Sequence, residues 1–156
     1  MNRIKLRNRT SEVQPEVTSG RIEKALAAAG VTNVSKRYVG GELVGLEFSL
    51  PTMYGVVNFR LPVKTNAAAG VMLAEAKRGR LNLARRERIS RQAARTAWRL
   101  AQEWIEIQLS MVAMQQLELM QALLPYAVKD GQTLFDTFQR SGYSGLLAAP
   151  GEDGHK

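Results

Sequence analysis

Cysteine is absent from the 156-residue chain, and histidine occurs once, at His155. Disulfides are thereby excluded, as is a zinc site built from Cys and His ligands. A chain without thiols suits a reducing compartment, and the expected location is cytoplasmic. The N-terminal residues are basic and lack the apolar core of a secretory signal. The longest nearly uncharged run, residues 107–128, matches a bilayer in length. It nevertheless contains Gln108, Ser110, Gln115, Gln116, Glu118 and Gln121, which are costly in lipid, so no membrane association is expected.

The chemistry of catalysis is equally sparse. There is no glycine-rich phosphate loop, no nucleophile elbow and no Cys–His pair. Carboxylates are scattered: Glu42 and Glu47 fall in the strand region, and Glu87, Glu103, Glu106 and Glu118 follow the main helical pattern. Glu103 and Glu106 share a helical face and could hold one metal, as in a metal-dependent nuclease. Pairing with Arg99 or simple solvation accounts for them as well. The expectation is therefore a protein that is not an enzyme, with no catalytic residues, no cofactor and no metal.

What the chain does carry is basic charge, unevenly placed. Residues 1–99 hold 19 Lys/Arg against 7 Asp/Glu, a net of +12, whereas residues 100–156 hold 3 against 7, a net of −4. A basic segment of this kind attracts polyanions, of which nucleic acid is the commonest in the cytosol.

The hydrophobic pattern predicts an α+β fold: a three-stranded antiparallel meander packed by helices, with a long C-terminal helix, continuous or broken in two, for packing or oligomerisation. Residues 1–16 read as a basic arm, 17–80 as an α-βββ-α subdomain, 81–147 as a helical segment and 148–156 as a disordered tail. Thr18 is placed to cap a helix over residues 17–29 that Gly30 stops. Residues 34–39 alternate as a first strand, and Gly40-Gly41 supply a tight turn. Val44, Leu46, Phe48 and Leu50, then Val57, Phe59, Leu61 and Val63, are expected on one buried face, with a second turn over 51–55. Lys36 or Arg37, Tyr38, Glu47, Asn58 and Arg60 fall on the other. Asn66 can cap a helix running to about Arg78. Pro125 is expected to end or kink the long helix, and a short final helix over 133–141 should point Leu134, Phe135 and Phe138 inward.

The stretch 85–124 organises the rest. Wound at 100° per residue, Arg85, Arg88, Arg91, Arg95 and Arg99 fall within an arc of roughly 120°. Ala93, Ala97, Trp98, Ala101, Trp104 and Ile105 fall opposite. With Lys77, Arg78 and Arg80 ahead of them, these arginines form the candidate nucleic-acid-binding set. Arginine suits phosphate because its guanidinium keeps its charge and bonds in pairs. Core packing accounts for Trp98 and Trp104, which leaves Tyr38 and Tyr54 as candidates for base stacking. Beyond Glu106 the polar arc disappears, so this part should be buried on every side. Leu109, Met111, Val112, Leu117, Met120 and Leu124 are its candidate oligomerisation residues.

Phe59-Arg60-Leu61-Pro62-Val63, then Ala97-Trp98-Arg99, Trp104 and Gln108, then Leu123-Leu124-Pro125-Tyr126 and Gly131-Gln132-Thr133-Leu134-Phe135 form a series of short signatures. The series resembles a group of small proteins encoded by bacteriophages and prophages, and covers most of residues 22–138. That resemblance implies a phage setting, hence a host cytoplasm, and supplies no activity or catalytic residues. The leading expectation is a non-enzymatic nucleic-acid-binding accessory protein of phage replication, recombination or packaging, self-associating as a homo-oligomer, with strandedness undecided. The alternative is a module that docks its basic face on an acidic host protein and inhibits or redirects it.

Overall fold

A computed structural model describes residues 4–76, 79 and 81–150. It is α+β: a three-stranded antiparallel sheet in the order β1-β2-β3, covered by helices. The elements are α1 (Pro15–Ala28), β1 (Asn33–Val39), β2 (Glu42–Thr52), β3 (Gly55–Arg60), α2 (Thr65–Glu75) and α3 (Leu83–Ala113). The short α4 (Leu119–Leu123), β4 (Val128–Lys129), β5 (Gln132–Thr133) and α5 (Leu134–Arg140) follow.

Helix α1 starts earlier than Thr18 because Pro15 has its backbone preset for a first helical turn. Thr18 and Ser19 are instead buried inside the helix, and the Ser19 hydroxyl donates to the Glu16 carbonyl at 2.9 Å. Helix α2 likewise starts at Thr65 with Lys64 as its N-cap, ahead of Asn66, and ends at Glu75.

Gly40 and Gly41 both adopt positive φ, +58° and +80°, as a two-residue hairpin turn with the right twist requires. Three residues later, at Val44, the alternation expected for β2 breaks. Arg37 pairs with Gly45 but Tyr38 pairs with Leu43, so Val44 has no counterpart. This bulge flips the pattern: Leu43 is buried and Val44 only half-buried, while Leu46 and Phe48 keep their inward positions. Before the bulge, ordinary strand alternation puts Lys36 and Arg37 on opposite faces. Lys36 faces α1, paired with Glu23 at 3.1 Å, and the Arg37 side chain lies over Gly45 on the outer face. The second turn is tighter than residues 51–55, because Thr52 pairs with Gly55 across Met53-Tyr54. Pro51 is tolerated in β2 because β1 begins opposite Ser49, so no ladder bond to β1 is lost at Pro51.

One core draws on α1, the sheet, α3 and α4 through Ile22, Leu26, Leu46, Phe59, Trp98 and Leu123. Phe48 and Phe59 stack at 5.5 Å between centroids, and Trp104 meets Tyr126 edge-on at 5.2 Å.

The long helix is not continuous to Leu124. Gln115 takes a left-handed conformation at φ +59°. The Gln116 and Gln115 amides bond back to the Met111 and Val112 carbonyls, a Schellman termination. A capping box between Glu118 and Gln121 then starts α4. Nor is the segment beyond Glu106 buried on every side, since Ile107, Met111, Met114 and Leu124 are exposed. At α5, Leu134 and Phe138 are half-buried but Phe135 is exposed, because the helix lies on the outside of the β4-β5 turn instead of in the main core.

A capping box also starts α5: the Asp136 amide donates to the Thr133 hydroxyl at 3.2 Å, and the Thr133 amide donates to the Asp136 carboxylate at 3.3 Å. Hydrogen bonding by Thr133 holds the Asp136 pKa below the usual carboxylate range. The lowered value means that this contribution is complete above the ordinary Asp pKa of about 3.9 and is lost as pH falls through the folded value. Thr133→Ala is expected to cost about 1 kcal/mol in urea unfolding. Asp136→Asn should flatten the acid loosening of α5 followed through its amide resonances.

Candidate functional site

Helix α3 presents three faces. Trp98, Ala101 and Ile105 enter the core, Ala93 and Ala97 meet α2, and the arginines fall on the remaining side. Asn82 fixes the helix start by accepting from the Arg85 amide at 2.8 Å.

The N-terminal arm lies along this third face. The Gln92 side-chain amide donates to the carbonyls of Arg9 at 2.8 Å and Ser11 at 3.0 Å. The Thr96 hydroxyl donates to the Asn8 carbonyl at 2.9 Å, and Arg95 donates to the Ser11 carbonyl at 3.2 Å. Arg7 pairs with Glu103 at 3.5 Å, and Arg9 pairs with Glu75 of α2. The arm therefore runs antiparallel to α3 and adds its own arginines to the helix face. Gln92→Ala is expected to free it, and faster trypsin cleavage after Arg7 and Arg9 in a brief digest checks this.

The five-arginine stripe is consequently not uniform. Arg99 donates to Gln102 at 3.0 Å and lies 3.8 Å from Glu103. Arg91 lines a hollow that holds Glu16 and Glu42 and that Arg95 also borders. Arg85, Arg88 and Arg95 converge instead with Arg9 on a pocket of about 580 Å³ between the end of α2 and the start of α3. Gln92 forms part of its wall, and Glu75 is the acid among its lining residues. The volume falls in the ligand-sized range of about 300–1,000 Å³. Neither Arg85 nor Arg88 makes a side-chain hydrogen bond or ion pair with another described residue. Four guanidinium groups against the single Glu75 carboxylate leave the lining net positive, and an anion placed among them relieves the remaining repulsion. Lys77, Arg78 and Arg80 lie outside the described residues.

The carboxylate pair is tied up differently. Glu103 is shared by Arg7 and Arg99, and Glu106 accepts from Gln102 at 2.7 Å. Among the described residues, no group of three or more His, Asp or Glu side chains is placed to hold a metal. No described helix is long and apolar enough to cross a membrane.

Trp98 is fully buried, and its indole N–H donates to the Leu43 carbonyl at 3.3 Å. Tyr38 and Tyr54 are exposed on the first hairpin and at the tip of the second. Of the candidate oligomerisation residues, Leu109 and Met120 pack against this chain's own core, Val112 and Leu117 are half-buried, and Met111 and Leu124 are exposed. Gln92 escaped sequence reasoning, although it falls inside the arginine arc and was legible there. Arg9 was read as part of the basic arm, but nothing local places it beside the α3 arginines. No protein-family model, curated protein or solved structure matches this chain.

Proposed function

We propose that this chain is a non-catalytic nucleic-acid-binding protein that grips phosphate groups in the Arg9, Arg85, Arg88 and Arg95 pocket. In the phage setting implied by its sequence signatures, it serves replication, recombination or packaging. One observation carries the proposal: four arginines converge on a concave site, and two of them have no protein partner among the described residues. Arginine bonds phosphate oxygens in pairs and keeps its charge, so such a site favours phosphate over a weakly charged ligand. Phosphate contacts carry no sequence information, and binding is accordingly sequence-independent.

Fluorescence anisotropy with labelled single- and double-stranded oligonucleotides tests this reading. Binding at about 50 mM salt that weakens steeply as salt rises is the expected result. No binding at that salt, together with capture of a nuclease-resistant host protein, would replace it with the acidic-partner alternative.

A further inference from the structure

Along α3, Leu100, Trp104, Ile107, Met111 and Met114 are spaced 4, 3, 4 and 3 residues apart, the a/d spacing of a helix-pairing seam. Ala93 and Ala97 continue it backwards under α2. There the seam is covered; past Trp104 it emerges, and Ile107, Met111 and Met114 are 54%, 37% and 72% exposed. This face is separate from the core side of the helix, which holds Ile105 and Leu109. It is also continuous with an apolar groove of about 450 Å³ between α2 and α3, into which Leu6, Val71, Leu100 and Trp104 project.

We infer that the seam pairs with the same seam of a second copy, in antiparallel register. Charge selects this occupant and this direction. Residues 107–117 contain no Asp, Glu, Lys or Arg, so the stretch offers nothing to a charged partner but meets its own copy without repulsion. Parallel pairing would set the two arginine-rich halves side by side, and residues 77–99 alone carry nine basic residues against one acid. Antiparallel pairing sends them to opposite ends. With the twofold axis level with Leu109, Ile107 faces Met111 of the second copy and Trp104 faces its Met114. The Trp104–Met114 pair forms a favourable sulfur–aromatic contact at the mouth of the groove. Flanking positions oppose Gln108 with Gln108 and Ser110 with Ser110, leaving no like charges across the interface. The twofold arrangement is isologous and closes at a dimer, with the two Arg88 positions roughly 60 Å apart along the helix axes.

Light scattering after size exclusion, on the full chain without nucleic acid, tests the pairing independently of the proposed function. The expected mass is twice 17.3 kDa, falling to 17.3 kDa in the Ile107→Glu/Met111→Glu variant. Both positions are exposed, so the variant should keep the wild-type circular dichroism and melting curve. Because the chain has no cysteine, Ser110→Cys is a clean probe of register, and mild oxidation should link it as a dimer. A monomer at every concentration would overturn the inference. So would a dimer that survives the paired glutamates, or a Ser110→Cys dimer that does not cross-link.

Discussion

Trp98→Ala is expected to destabilise the fold by about 3–5 kcal/mol, the range for removing a buried Trp or Phe. The indole is completely buried where α3 crosses the sheet, in one cluster with Ile22, Leu26, Leu46 and Phe59. Truncation leaves a cavity whose lining comes from three elements, and fixed strands and helices collapse into it only partly. It also removes the donor to the Leu43 carbonyl. Trp98→Phe fills most of the space and loses only that donor, so its cost should be nearer 1–3 kcal/mol. Urea unfolding followed by circular dichroism measures both. A loss below about 1 kcal/mol for the alanine variant would show that the core is not organised around this side chain.

Arg85→Ala/Arg88→Ala is the second variant with a large expected effect, and its target is binding. Hydrogen bonds to a charged group contribute roughly 1.5–3 kcal/mol each, so the pair should lower oligonucleotide affinity by about 10²- to 10⁴-fold at low salt. Stability should change little, because neither side chain makes a hydrogen bond or ion pair with another described residue. Arg91→Ala should weaken binding less, since Arg91 lines the hollow with Glu16 and Glu42 and not the pocket. Arg95 is a poorer probe. It ties the arm to α3 through Ser11 and Gln92, so its loss mixes binding with arm release.

The α+β class, the meander and the amphipathic first half of α3 were legible because they rest on local periodicity, the 2.0 and 3.6 repeats of strand and helix. The inward Trp98 followed from the same wheel. What failed was set by single residues or distant contacts. Val44 is as apolar as Leu43, and only the pairing of Arg37 with Gly45 shows which one turns inward. Gln115 is no usual helix terminator, yet its left-handed backbone stops α3 ten residues before Pro125. Nothing local joins Arg9 to Arg85 and Arg88. That meeting depends on Gln92 and Thr96 holding arm carbonyls more than 80 residues away in sequence. The exposed seam has a 4-3 spacing in the sequence, but its exposure depends on α2 ending at Glu75 and leaving Ile107, Met111 and Met114 uncovered.

The salt dependence of duplex binding, measured for wild type and for Arg85→Ala/Arg88→Ala, tests the central claim most directly. Each phosphate contact contributes about 0.9 to the slope of log affinity against log salt. The variant should therefore show a slope shallower by about 1.8, as well as weaker binding. An unchanged slope would contradict the account, because any binding that remained would not pass through the arginine pocket.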